Sequence, residues 1–155
     1  MILAIDPGNI ESAYCVIDKK TYKPIEFAKV KNEQLLEYIW DYIPREVDTL
    51  VIEMVASYGM AVGKEVFDTC VWIGRFIETA LINNKDYEYI YRKDVKMNLC
   101  NSMRAKDSNI RQALIDRFGV VGTKKNQGWF YGFKADIWSA YAVGITYLDK
   151  ELNND

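Results

Sequence analysis

The 155-residue chain contains no histidine and only three cysteines. Cys15, Cys70 and Cys100 are widely spaced, odd in number and free of CxxC pairing. A Cys/His zinc site is therefore excluded, and any metal ion must be held by carboxylate oxygens. Unpaired thiols fit a reducing cytoplasm. No apolar run reaches the roughly 18 residues of a membrane span. The N-terminus lacks the basic and apolar regions of a secretory signal. The length fits one domain over residues 1–155, large enough for a hydrophobic core.

Net charge is small, −2, but unevenly distributed. Met1–Ile90 holds 9 basic and 15 acidic residues, Tyr91–Lys134 holds 10 basic and 3 acidic, and Ala135–Asp155 holds 1 basic and 4 acidic. The positive charge is thus confined to one segment. Such a segment suits a polyanionic partner, although a basic run also occurs as a plain solvated surface.

The segment Ile2–Gly8, Ile-Leu-Ala-Ile-Asp-Pro-Gly, reads as a buried strand ending in a carboxylate and a turn. Ligand sites in open α/β sheets lie beyond the carboxyl ends of strands, which draws attention to Asp6. Ser12–Asp18 and Pro24–Val30 follow after short gaps, so they are expected as antiparallel neighbours. Asn32 is positioned to cap a helix through Ile43. Thr49–Val55 is almost entirely apolar, as a parallel strand buried on both faces would be. Its exception is Glu53. Lys64–Ile82 reads as a long helix with a sheet-facing stripe of Val66, Cys70, Ile73, Ile77 and Leu81, leaving Phe67, Val71 and Trp72 off the stripe. Tyr87–Tyr91 is a fifth strand, Lys93–Cys100 a short helix, and Asp107 or Ser108 caps a helix through Phe118, with Gly119 as its C-terminal stop. Thr123–Gly132 reads as a mobile loop exposing Trp129 and Tyr131. Lys134–Leu152 is the closing helix.

Asp136 falls in the first turn of that helix, on a face continued by Ser139, Ala140, Val143 and Tyr147. An inward carboxylate needs a cation or hydrogen bonds to offset its desolvation. Each acid alone has an ordinary explanation. Asp6 suits a turn, Glu53 suits a lysine pair or a helix cap, and Asp136 suits a helix N-terminus. Together they are more informative, because two interrupt apolar strands and one interrupts an apolar helix face.

The order strand-Asp, two strands, strand-Glu, late helix-Asp resembles the ribonuclease H-like superfamily, and within it the RuvC family of Holliday junction resolvases in a phage or prophage-type form. The resemblance rests on Asp6-Pro7-Gly8, Tyr14 with Val16-Ile17, Ile52-Glu53, Ala105–Ile110 and Ala142–Thr146. It implies an α/β fold with a five-stranded mixed sheet flanked by helices. It also implies hydrolysis of phosphodiesters in branched DNA by a homodimer, with Mg²⁺ as cofactor and Mn²⁺ able to substitute. Two hard cations clamping the attacking and leaving oxygens would suit that chemistry.

On this reading Asp6 bridges the ions, Glu53 and Asp136 each bind one, and Ser139 holds a water. Lys93, Lys96, Arg104, Lys106 and Arg111 would contact phosphates, with Lys124 and Lys125 also on the nucleic-acid surface. Tyr58 would stack on an unpaired base or simply pack. The Lys64–Ile82 helix would form the dimer interface, unless the Thr123–Gly132 loop covers it. Three departures stand out: Ser139 replaces a fourth acid, Ala13 replaces a glycine, and Lys106-Asp107 reverses the usual order. With one acid fewer, two ions per site are expected but one is possible. The competing readings are a branched-DNA binder with little or no catalysis, an RNA-processing nuclease of the superfamily, and an actin-like ATPase. The last needs two such domains, and one is present.

Overall fold

The structure, a computed structural model, describes residues 1–154. They form five strands, β1 (Ile2–Asp6), β2 (Glu11–Ile17), β3 (Pro24–Lys31), β4 (Thr49–Glu53) and β5 (Asp86–Ile90). Five helices accompany them: α1 (Asn32–Glu37), α2 (Lys64–Ile82), α3 (Arg92–Cys100), α4 (Asp107–Phe118) and α5 (Ile137–Asn154). The strands make one sheet in the order β3-β2-β1-β4-β5. The β1-β2 and β2-β3 pairs are antiparallel, joined by short turns, whereas β1-β4 and β4-β5 are parallel and joined by helical crossovers. This is the mixed five-stranded sheet that the sequence led us to expect.

Alternation along the strands divides the core into two layers. Ile2, Ala4, Ala13, Cys15, Ile17 and Val51 face α3, α4 and α5. Leu3, Ile5, Val16, Leu50 and Ile52 face α1 and α2. By the same parity Asp6 and Glu53 point toward α5, at the carboxyl ends of adjacent parallel strands. The central helix α5 lies directly on the sheet at Gly144. A Cβ there would stand 2.4 Å from Ile17 Cδ1 and 2.9 Å from Ala4 Cβ. Only hydrogen fits, so α5 lies against the Ala4 methyl of β1 and the Ile17 tip of β2 with no room between.

Several local expectations need correction. Asn32 is not a cap but the first residue of α1, and it is fully buried. Its side chain serves the β1–β2 turn instead. The α-helix ends at Glu37 and continues as a π-helical turn over Tyr38–Tyr42. In α2 the buried residues are Thr69, Ile73, Phe76, Ile77 and Ala80. Val66 and Cys70 are half-buried and Leu81 is exposed, so the true stripe is rotated from the predicted one. Trp72 is also half-buried, beside Phe76 with the Arg75 guanidinium over its ring.

The second half of the Thr123–Gly132 segment is packed, while Thr123–Gln127 is exposed. Gly122 bridges Gln127, Trp129 stacks on Phe118, and Phe130 is fully buried. Trp129 Nε1 donates to Tyr141 Oη at 3.1 Å, which in turn donates to the Tyr22 carbonyl at 2.7 Å. These contacts lie in the α5 layer, so the loop does not cover α2, which packs on the opposite face.

Candidate active site

The site begins as a row across the sheet. Lys29 on β3 pairs with Ala13 on β2, and Ala13 pairs with Asp6 on β1. Glu53 lies one residue beyond the Ile5–Ile52 pair and is itself paired with Ile90. Paired residues share a face, so Lys29, Asp6 and Glu53 all project toward the start of α5. The small Ala13 between Lys29 and Asp6 leaves room above the sheet.

Three hydrogen bonds hold the turn after Asp6. Gly8 N–H donates to Ser12 Oγ at 3.1 Å, Ser12 Oγ–H donates to Asn32 Oδ1 at 2.6 Å, and Asn32 Nδ2–H donates to the Gly8 carbonyl at 2.8 Å. Ser12 and Asn32 are both buried. They close a ring on the backbone of Gly8 and so fix where β1 ends and where Asp6 points. Gly8 itself has no space for a side chain, because a Cβ would stand 2.3 Å from the Glu11 carbonyl oxygen.

Asp6 and Glu53 share a cavity of about 280 Å³ with Pro7, Met54, Val55, Ala56, Tyr58 and Arg92. Burial, then the negative charges of Glu53 and Asp136, push the Asp6 carboxyl up to about 8, while Arg92 pulls the other way. Burial also raises Glu53, opposed first by Arg92 and then by the neighbouring Asp6 carboxyl. Metal-free, the pair therefore holds a proton at neutral pH. A bound cation would displace that proton. Two oxygen-only donors side by side suit a hard divalent ion such as Mg²⁺.

Asp136 differs from its predicted setting. It precedes α5 rather than lying within its first turn, and its carbonyl accepts the Ala140 N–H at 3.0 Å. Its side chain is 50% exposed and salt-bridged to Lys29 Nζ at 2.7 Å, so it is neither inward nor unpartnered. Lys29 gains from this contact, and Asp136 holds its ammonium above the usual range. Ser139 shares a second cavity, about 160 Å³, with Asp136, Arg92, Asp107, Ile110, Arg111, Ala135 and Trp138. Among the described residues, no three Asp, Glu, Cys or His side chains converge closely enough to hold an ion together. The donor set therefore offers a carboxylate pair, with a third acid held to one side.

The other predicted residues distribute as follows. Tyr58 is 61% exposed and lines the Asp6–Glu53 cavity from the β4–α2 loop, with φ +50° in the turn it shares with Gly59. Arg111 lines the second cavity, its guanidinium 5.2 Å from the Trp138 ring centroid. Lys93, Arg104, Lys106, Lys124 and Lys125 are exposed and Lys96 half-buried, and none of the six lines either cavity. Two cations that the sequence did not single out stand closer to the acids. Lys29 was hidden in an edge strand, and Arg92 in a run of other basic residues. Only its position, two residues after the strand neighbouring Glu53, could have marked Arg92.

No protein-family model and no curated protein matches the chain. Solved structures do. RuvC of Thermus thermophilus in complex with a Holliday junction substrate aligns with TM-score 0.73 at 12% identity, covering 97% of this chain and 94% of that one. A second T. thermophilus RuvC structure aligns with TM-score 0.70 at 12% identity, covering 98% and 96%. The Fowlpox virus resolvase in complex with Holliday junction DNA aligns with TM-score 0.52 at 12% identity, covering 97% and 99%. The chain thus has a ribonuclease H-like fold. More narrowly, its fold is that of the RuvC-type resolvases over nearly its whole length.

Proposed function

We propose that this chain is a metal-dependent endonuclease that hydrolyses phosphodiester bonds in branched DNA, Holliday junctions included. The observation that carries the reading is the half-buried Asp6–Glu53 pair at the carboxyl ends of two parallel strands, beside Arg92. The likeness to structures solved on Holliday junction DNA supports the choice of substrate. Asp6 and Glu53 would hold Mg²⁺, or Mn²⁺ in its place, with Asp136 as a further ligand once released from Lys29. A bound ion would supply an activated water and neutralise charge at the scissile phosphate. Lys29 and Arg92 would hold phosphate oxygens near the acids, while Ser139 would orient water beside Asp136. Tyr58 would stack on an unpaired base at the branch. The basic α3, α4 and Lys124–Lys125 surface would track the remaining backbone, contributing salt-dependent affinity rather than chemistry.

We extend the proposal to a homodimer through α2, where Phe67 and Val71 are 60% and 62% exposed on one side of the helix. A two-fold pair would cover them and set two sites for paired cuts. Sedimentation at micromolar concentration should show a dimer that Val71→Glu dissociates. A monomer unaffected by that change would remove the interface. No helix among the described residues is long and apolar enough to cross a membrane. A DNA substrate and three free thiols fit a bacterial cytoplasm as the working compartment.

The direct test incubates the protein with four-way, three-way and linear DNA in Mg²⁺, Mn²⁺ or chelator. Cleavage of branched DNA only with a divalent ion is the expected result. Asp6→Asn should abolish cutting and keep or tighten junction binding, since a carboxylate cluster repels phosphate. A second reading, a branched-DNA binder that does not cut, is favoured by one observation: Asp136 is salt-bridged to Lys29 and does not converge with the acid pair. Junction binding without cleavage under every ion condition would select it.

A further inference from the structure

Among the described residues, Arg92 is the only one that lines both the Asp6–Glu53 cavity and the Asp136–Ser139 cavity. Its position follows from the topology. β5 lies beside β4, Ile90 pairs with Glu53, and Arg92 opens α3 two residues later. The side chain is about two-thirds covered and forms an ion pair with Asp107 at the start of α4. Asp107 is largely solvent-exposed, so it orients the guanidinium without burying it. The guanidinium therefore stands between the cavity of the acid pair and the cavity of the third acid.

We infer that Arg92 is the protein's own second cation in this site, so that one divalent ion per chain, held by Asp6 and Glu53, suffices. The inference rests on the nuclease reading above and makes it more specific. Charge supports it. The two cavities and Lys29 together bring four carboxylates, Asp6, Glu53, Asp107 and Asp136, and three cations, Lys29, Arg92 and Arg111. The balance is one net negative charge. One divalent ion plus one phosphodiester returns the site to neutrality, whereas a second ion would leave it two charges positive. Donor chemistry agrees. The second cavity offers one carboxylate already paired with Lys29, a serine hydroxyl, and an Asp107 already paired with Arg92. That is a poor set for a hard dication, which prefers several free oxygens. A planar guanidinium can instead grip two phosphate oxygens at once. In this role Arg92 contacts the scissile phosphate, and Asp107 is a positioning residue.

The test measures ion binding and cutting separately on the whole protein. Calorimetric titration of Mn²⁺ into the wild-type chain should give one site per chain, lost in Asp6→Asn. Arg92→Gln should tighten that site three- to tenfold, because a neighbouring positive charge is gone. It should also slow junction cleavage at least 100-fold while junction binding stays within about threefold. Arg92→Lys, which keeps the charge and loses the fork, should leave Mn²⁺ affinity near wild type and recover part of the rate. An arginine that merely starts a helix would not alter Mn²⁺ affinity when removed. Two Mn²⁺ per wild-type chain overturns the inference, as does Arg92→Gln cutting within threefold of wild type. If the wild type cuts no branched DNA, the nuclease reading fails and the phosphate role of Arg92 fails with it. The Mn²⁺ count and its response to Arg92→Gln would then still decide whether Arg92 excludes a second ion. A fold defect in Arg92→Gln would show in its melting curve, leaving the wild-type count and Arg92→Lys to decide.

Discussion

Asp6 carries the clearest pH signature. Its folded carboxyl is pushed up to about 8 from an ordinary 3.8, so the metal-free folded state binds a proton that the unfolded chain has already released. Stability from this group is therefore greatest below about pH 4 and is lost as pH rises toward 8, with a limiting slope of about 1.4 kcal/mol per pH unit. Urea denaturation in chelator should show Asp6→Asn stabilising the protein at pH 8 and much less at pH 5. An unchanged difference between the two pH values would mean that Asp6 is not the titrating group. Mg²⁺ should reverse the trend by favouring the ionised pair. At this scale the sequence was legible where a charge broke a pattern. Asp6 and Glu53 interrupt apolar strands and were readable for that reason. Lys29 was not, because an edge strand already alternates polar residues and its partner lies 107 positions away. Asp136 was identified, but its environment was misjudged by placing it one turn too deep in the helix.

Between β1 and α1 the important feature is the buried ring of Gly8, Ser12 and Asn32. Asn32→Ala would leave the Ser12 hydroxyl and the Gly8 carbonyl short of partners, costing about 1–3 kcal/mol. The β1 turn would also loosen, so junction cleavage should fall more than junction binding. Denaturant unfolding together with single-turnover cleavage checks both halves, and an Asn32→Ala protein of wild-type stability would discount the ring. The antiparallel β1-β2 and β2-β3 neighbours were readable from short gaps and the parallel setting of β4 from its apolar run, whereas the full strand order followed from the family resemblance. The facing of α2 was not, since its apolar residues cover more than one side and only the sheet decides which go inward. The loop before α5 looked mobile from its glycines and lysines. Phe130, Phe133 and Trp129 tie it into the α5 layer instead, a tertiary effect that local composition does not carry.

The molecule as a whole depends on how closely α5 approaches the sheet. Gly144→Ala places a methyl group against Ala4, on a strand that cannot yield, and should cost about 1–3 kcal/mol through overpacking. The displaced helix carries Asp136 with it, so cleavage should fall even where the protein remains folded. Equilibrium denaturation beside a cleavage assay tests this, and a Gly144→Ala variant of unchanged stability would show that the helix has slack.

The same contact has a kinetic side. With only the short Ala4 side chain and the tips of Ile2 and Ile17 meeting Gly144, α5 and β1 should open to solvent together or not at all. Their amides are then expected to exchange with deuterium as one slow cooperative unit, while β3, at the sheet edge, and the β4–α2 loop exchange earlier. Asp6 and Asp136 would thus be anchored to the last part of the protein to unfold. Lys29 and Tyr58, which face them, would belong to its most rapidly opening parts.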